Sequence, residues 1–323
     1  MESFTSFEES LYHVNDQSFE EIALKLFQFQ AKGNPVYAEY IQHLGVQPNS
    51  VRSIRDIPYL PVSFFKTHDI KTDQWHERTV FTSSGTTGMT SARHLVYDPD
   101  FYLRNTVKCF ELFYGDPSNY RFLVMLPSYA ERQGSSLIAM IEHFMKLGGG
   151  ASYHNNTSGL LDQLGRKQDK KVILWGVTFA LADLAEQHEL DLSNCIVFET
   201  GGMKGRRKEI TRAELHELLG RRFHTKIHSE YGMTELMSQA YSMGNGIFQC
   251  PPWMKIVIRD PEDPRDLSEG RERGGINIID LANIHTCAFI ETQDLGKVGQ
   301  KGSFEVLGRM DNSDIRGCNL LVE

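Results

Sequence analysis

The sequence predicts an α/β protein, a parallel sheet flanked by helices, followed by a small C-terminal β subdomain. Two observations carry this. Between about residues 98 and 235, short continuous apolar runs alternate with helical patterns. Strands that are apolar throughout are buried on both faces, as in a parallel sheet. From about Pro251 the helical patterns stop, and short apolar runs at 256–258, 276–279, 288–291 and 304–307 are separated by charged or Gly-rich turns. That is the pattern of an antiparallel or barrel-like unit. The expected organisation is an α/β body over 1–250, with a helical segment over 1–60, a β subdomain over 251–310 and a short mobile tail over 311–323.

The N-terminal part reads helical. Ser18 and Glu21 have capping-box spacing, Ile22, Leu26 and Phe29 share a helical face, and Gly33-Asn-Pro35 ends the run. A second short helix over 37–44 stops at Gly45. Prolines at 58 and 61, set among apolar residues, predict an extended segment pressed onto the core. Asp98-Pro99 opens a helix running to about 113, with proline at the first helical position. Strands follow at 122–126, 172–175 and 195–198. Helices are expected over 135–147, closed by three glycines, over 179–187, and after the capping box Thr211/Glu214. In such sheets, ligands lie beyond the carboxyl ends of the strands.

The bulk numbers exclude several classes. The chain has 323 residues, 40% hydrophobic and 24% charged, which suits a globular protein with an ample core. Its net charge of −8 argues against nucleic acid as a partner. No apolar run reaches the ~20 residues of a membrane span, and the first residues lack a signal peptide's pattern. The five cysteines, at 109, 195, 250, 287 and 318, are odd in number and form no CxxC pair. Neither a disulfide frame nor a zinc site is expected, and a cytoplasmic location is the default.

Five stretches carry candidate chemistry. FTSSGTTG at 81–88 follows a short apolar run. Its glycines let successive N–H groups converge on an anion, and Ser83, Ser84, Thr86 and Thr87 add hydroxyls. It is not a Walker A loop, because Met89 and Thr90 stand where Lys and Ser/Thr belong; taken alone it reads equally as a surface loop. ETGGM at 199–203 places two glycines past a strand end, where a flat group can approach, or where an ordinary turn sits. In IHSEYGMTE at 227–235, Tyr231 offers a ring for a base, Thr234 a hydroxyl, and Glu235 a carboxylate suited to Mg²⁺ beside phosphates. A strand, turn and helix start would explain it as well. Asp294 in TQDLG could take a ribose's hydroxyls or be a turn residue. GRMDNSDIRG at 308–317 by itself is a charged loop. No GxSxG elbow is present, which disfavours a serine acyltransferase.

In this order the stretches closely resemble the adenylate-forming superfamily, and within it the acyl-protein synthetases. The phenylacetate-CoA ligases are nearer cousins. IPYLP with FFK at 57–66, PSYAER with GSS at 127–136, and SDIRGC at 313–318 extend the resemblance over nearly the whole chain. It implies an adenylate-forming large domain whose usual C-terminal small domain is absent. The implied ligands are ATP and Mg²⁺. Ser83 would sit at the edge of the phosphate loop, and Ser84, Gly85, Thr86, Thr87 and Gly88 would wrap the β- and γ-phosphates. Gly201, Gly202 and Met203 would line the adenine slot, with Tyr231 stacking on the ring and Gly232 beside it. Thr234 would touch the α-phosphate, Glu235 would hold Mg²⁺, and Asp294 with Arg309 would hold the ribose. Asp311 matches the superfamily's hinge. The lysine that usually follows the phosphate loop is missing, with Arg93 nearby.

The resemblance further implies a reaction. A carboxylic acid, a fatty acid in this branch of the superfamily, is activated as acyl-AMP, then passed to a cysteine near the C-terminus, here Cys318, and on to an acceptor protein such as an acyl reductase. Two rivals remain: a CoA ligase of the phenylacetate type, and a non-catalytic nucleotide-binding subunit.

Overall fold

A computed structural model describes residues 3–83, 90–126, 133–201 and 210–310. Helices α1 (Phe4–Leu11), α2 (Phe19–Gly33) and α3 (Pro35–His43) lead to a short strand, β1 (Leu60–Pro61), and a hairpin of β2 (Thr79–Thr82) and β3 (Arg93–Val96). The α/β part follows as α4 (Pro99–Tyr114), β4 (Tyr120–Met125), α5 (Ser136–Gly148), β5 (Gly150–Ser152), α6 (Thr157–Leu164), β6 (Lys171–Val177), α7 (Thr178–Gln187), β7 (Ile196–Thr200), α8 (Arg212–Phe223), β8 (Ile227–Tyr231) and β9 (Ala240–Ser242). Five strands close the order: β10 (Ile247–Phe248), β11 (Met254–Arg259), β12 (Arg273–Asp280), β13 (Phe289–Val298) and β14 (Phe304–Arg309).

The expected parallel sheet is present. Its order is β5-β4-β6-β7-β8-β9, parallel from β5 to β8, with β9 antiparallel at the edge. The chain steps outward from β4 to β5, then back past β4 to β6, β7 and β8. Right-handed crossovers therefore put α5 on one face and the later helices on the other. Accordingly α5 packs with α4, and α7 packs with α8. The apolar strands fill both interfaces. Trp175 and Phe198, neighbours on β6 and β7, stack with centroids 4.2 Å apart, and Phe110, Phe122, Phe144 and Tyr241 gather around them. Each such buried side chain contributes ~1.5–3 kcal/mol.

Two glycines explain the tight entry into β5. A Cβ at Gly148 would lie 2.3 Å from the Tyr120 carbonyl, and one at Gly150, with φ +148°, 2.0 Å from that of Phe122. Helix and strand can approach this closely only without side chains.

The second sheet runs β10-β14-β13-β12-β11 antiparallel, as the change of pattern near Pro251 led us to expect. It also recruits β1, which pairs parallel with β13 through Leu60↔Ile290 and Pro61↔Glu291. The proline-flanked segment thus becomes an edge strand, where a missing N–H is tolerated.

One cap expected from sequence is corrected. Ser18 has helical backbone angles and makes no side-chain cap. Asn15 fills that role, its Oδ1 accepting from Gln17 N at 3.0 Å and Ser18 N at 3.2 Å, while Glu21 pairs with Lys25 at 2.7 Å. The box at Thr211/Glu214 is formed in both directions. No helix of the described residues is long and apolar enough to cross a membrane.

Candidate active site

The hydroxyl-rich loop is the connection of the β2–β3 hairpin. Residues 84–88 lie outside the described residues, but the neck is defined. Ser83 N donates to Ala92 O at 3.0 Å, and Ala92 N donates to Ser83 Oγ at 2.8 Å. Thr82 N is held by Gly134 O at 2.7 Å, which ties the hairpin to the entry of α5. Arg93 leaves the neck to pair with Asp69 at 2.9 Å, both about half exposed.

At the carboxyl end of β7, Gly201 takes a positive φ of 81°, and its carbonyl accepts from Thr178 Oγ1 at 2.9 Å. Gly202 and Met203 lie outside the described residues. Just below sit two buried carboxylates. Burial pushes Glu199 upward, but a hydrogen bond from His216 and the charge of Arg212, 3.0 Å away, outweigh it and leave Glu199 below its ordinary range. Glu230 accepts from Thr200 Oγ1 at 2.5 Å, and burial raises it to about 7. Gly232 has no room for a side chain, since a Cβ there would lie 2.4 Å from Glu230 Oε1.

Tyr231 ends β8, and its ring is wedged edge-on against Phe248 and Phe304 at 5.9 and 5.4 Å. Its hydroxyl donates to Asp294 Oδ2 at 2.8 Å, so the structure joins the two residues singled out for base and ribose. Asp294 is raised by burial against the opposing pull of the Tyr231 hydroxyl and Arg309, its cross-strand partner on β14. Arg309 itself is exposed.

Residues 232–239 form a turn rather than a helix start. Buried side chains hold it from all sides. His94 Nδ1 lies 2.8 Å from Thr234 O, and Asn283 Nδ2 donates to Glu235 O at 2.7 Å. Asp280 accepts from Met237 N and Ser238 N at 2.8 and 3.0 Å, while Asn105 Nδ2 donates to Met237 O at 2.7 Å. Glu235 is 6% exposed, and burial lifts it to about 7 against the attraction of Arg309 and Lys66.

Strand ends from the parallel sheet, the hairpin neck and the second sheet thus meet in one region. Solved structures carry the same arrangement of elements. An open conformation of 2-hydroxyisobutyryl-CoA ligase, in complex with 2-HIB-AMP and CoA, is similar with a TM-score of 0.68 at 14% identity, over 94% of this chain and 71% of that one. The chain has the adenylate-forming ligase fold. ATP-bound MatB from Rhodopseudomonas palustris is similar with a TM-score of 0.55 at 18% identity, over 73% of this chain and 49% of that one. O-succinylbenzoate coenzyme A synthetase (MenE) from Bacillus subtilis, in complex with AMP, gives 0.52 at 20% identity, over 74% and 51%. The chain therefore spans about half the length of MatB and MenE. No protein-family model and no curated protein matches the sequence.

Among the described residues, the donor set is compatible with Mg²⁺. No group of three or more metal-type ligands exists among the described residues. A single buried carboxylate, Glu235, suits an ion that takes one or two carboxylates and completes its shell with phosphate and water. The four described cysteines are poorly suited to acyl transfer. Burial raises Cys109, Cys250 and Cys287, and Cys195, also raised, lies just before β7, away from its carboxyl end. Cys318 and Asp311 lie outside the described residues.

Sequence reasoning missed His94, Asn105, Asp280 and Asn283, which shape the turn, and Arg212, which neutralises Glu199. Each is an ordinary polar residue with no motif around it. No local spacing marks any of them.

Proposed function

We propose that the protein activates a carboxylic acid with ATP, forming acyl-AMP and pyrophosphate, and passes the acyl group to a thiol with release of AMP. The observation that carries this is the junction of Tyr231 and Asp294 beside the braced Thr234–Glu235 turn. An aromatic residue, a ribose-type carboxylate, a hydroxyl and a desolvated carboxylate are the kinds of group an adenosine phosphate calls for, and the Tyr231–Asp294 hydrogen bond supports grouping the first two. The complexes of the similar structures contain ATP, AMP or an acyl-AMP, which agrees.

In this reading Ser83 through Gly88 face the β- and γ-phosphates. Gly201, Gly202 and Met203 flank the adenine with Tyr231 and Gly232, and Asp294 and Arg309 hold the ribose. Thr234 orients the α-phosphate. Glu235 would hold Mg²⁺, which would supply charge neutralisation for the phosphates. The substrate carboxylate attacks the α-phosphorus and pyrophosphate leaves, so the chain's task is positioning and electrostatics rather than covalent catalysis. Residues 1–250 would form the adenylation body and 251–310 its β subdomain, whose sheet draws in β1 and β10 from the body; 311–323 would be the hinge and tail.

The acid is fatty and the acceptor is Cys318, from which the acyl group moves to a partner such as an acyl reductase in the cytoplasm. The raised thiols of the other four cysteines support this, because a thiolate is the nucleophile. The second reading is a CoA ligase, favoured by the CoA bound in the 2-hydroxyisobutyryl-CoA ligase complex.

Carboxylate-dependent ATP–pyrophosphate exchange with short, long and aromatic acids, followed by intact-mass measurement, tests both. Exchange with a one-acyl mass gain that is lost in Cys318→Ser supports self-acylation. Exchange with product release only on adding CoA supports the ligase. No exchange with any acid overturns the activation reading.

A further inference from the structure

Asp294 stands on an irregular stretch of β13. Gly275 pairs with Leu295 and Asn277 with Glu291, so one residue of β12, Ile276, stands opposite Thr292, Gln293 and Asp294. A bulge of this kind bends the strand and re-aims its side chains. Within it lies the carboxylate that accepts from the Tyr231 hydroxyl at 2.8 Å.

Two buried side chains take up the carbonyls of the bulge. Arg259 reaches across from β11, donating from Nη1 to Ile276 O at 2.9 Å and from Nη2 to Thr292 O at 2.7 Å. Nη1 also donates to Asn277 Oδ1 at 3.0 Å. Thr292 Oγ1 donates to the same Ile276 O at 2.7 Å and accepts from Asp294 N at 3.0 Å. The protons balance, because a carbonyl oxygen has two lone pairs for its two donors. Arg259 and Thr292 are each 1% exposed. Gly275 leaves the guanidinium its room, since a Cβ there would lie 2.5 Å from Arg259 Cζ.

A buried charge is costly, and a well-packed apolar side chain is often as stable in its place. The ion-pair partner of Arg259, Glu291, is 3.7 Å away, so the short bonds of the guanidinium go to carbonyls. What the planar fork supplies is donors at a fixed spacing.

We infer that Arg259 and Thr292 are positioning residues for Asp294: they hold the bulge of β13 in the shape that carries its carboxylate to Tyr231 and presents it to the ribose of a bound nucleotide. This deepens the proposed reading of Asp294 and rests on it. Neither residue is assigned a contact with the nucleotide.

Removing the ribose hydroxyls reads the position of Asp294 directly. Calorimetry with Mg·ATP and with Mg·2′,3′-dideoxy-ATP compares wild type with Arg259→Met, Thr292→Val, Thr292→Ser and Asp294→Ala. Wild type is expected to bind the dideoxy nucleotide on the order of tenfold more weakly, and Asp294→Ala to lose that preference. Arg259→Met and Thr292→Val should lose on the order of tenfold for ATP while keeping the dideoxy affinity within roughly threefold. Thr292→Ser keeps the hydroxyl and should keep the preference. In Arg259→Met combined with Asp294→Ala, ATP should bind within roughly threefold of Asp294→Ala alone. A merely structural role would lower the melting temperature and shift both nucleotides together or neither.

Where Asp294→Ala has lost the preference, folded Arg259→Met or Thr292→Val that retains it overturns the inference. So does a loss shared equally by both nucleotides, or Thr292→Ser as impaired as Thr292→Val. Should Arg259→Met not fold, the two Thr292 variants decide by the same criterion. A wild type with no preference for the ribose hydroxyls, or Asp294→Ala that keeps it, removes the ribose role of Asp294 and this inference with it. Wild-type protein that does not bind Mg·ATP removes the proposed function first.

Discussion

Replacing Glu235 with glutamine is expected to stabilise the fold above neutral pH while abolishing adenylate formation. Burial moves the Glu235 carboxyl from its ordinary 4.5 to about 7. At about 1.4 kcal/mol per pH unit this corresponds to roughly 3 kcal/mol of stability linked to one proton. The direction follows from proton counts. Between pH 4.5 and 7 the folded chain holds a proton that the unfolded chain has released. Wild-type stability therefore falls as pH rises through that window, being fully present below it. Glutamine has no such proton, so the difference between variant and wild type should grow from near zero at pH 4.5 to roughly 3 kcal/mol at pH 8. Glu230 is raised as well, yet it is common to both proteins and cancels. Urea unfolding at half-unit pH steps measures the difference. Excess Mg·ATP should stabilise the wild type and leave the variant nearly unmoved. Parallel pH curves for the two proteins would refute the reasoning, because they would mean that Glu235 is ionised in the folded state at the same pH as in the unfolded chain.

Other perturbations test the surroundings of the site. Arg212→Met leaves Glu199, 2% exposed, with His216 and Thr178 as partners; the expected cost is roughly 2–4 kcal/mol in urea at pH 7. A cost under about 0.5 kcal/mol would show that His216 alone neutralises Glu199. Gly232→Ala drives a methyl group into Glu230 and should cost ~1–3 kcal/mol together with weaker Mg·ATP binding by calorimetry. Asp294→Asn keeps an acceptor for Tyr231 but removes the charge; its melting temperature should hold while ATP affinity falls on the order of tenfold. Phe198→Ala opens the stack on Trp175 and is expected to cost ~3–5 kcal/mol, checked by thermal unfolding.

The parallel sheet was legible because its strands are continuous apolar runs, and its helices carry local start signals at Asp98-Pro99 and Thr211/Glu214. Such signals act within a few residues, so one sequence contains them whole. The junction of Tyr231 with Asp294 was legible only as two motifs, each with an ordinary alternative. Their contact spans two sheets, and no periodicity encodes it. The braces of the turn were not legible at all. His94, Asn105, Asp280 and Asn283 gain meaning only when segments far apart in sequence are packed together. Ser18 misled for the opposite reason, since a fitting local pattern lost to Asn15, three residues earlier.

The pairing of β1 with β13 joins positions about 230 residues apart, and Gln30, Asn34 and Thr72 depend on carbonyls at 283–286 that lie comparably far away. During synthesis at ~5–20 residues per second, the first helices must wait on the order of 10–50 s for their partners to leave the ribosome. Through that interval Leu60 lacks its strand partner, and Phe27 of α2 and Tyr37 of α3 have each other but not Phe289 to rest on. The nascent chain thus offers holdase chaperones an apolar N-terminal stretch, and a ribosome stalled before β13 should leave it open to protease.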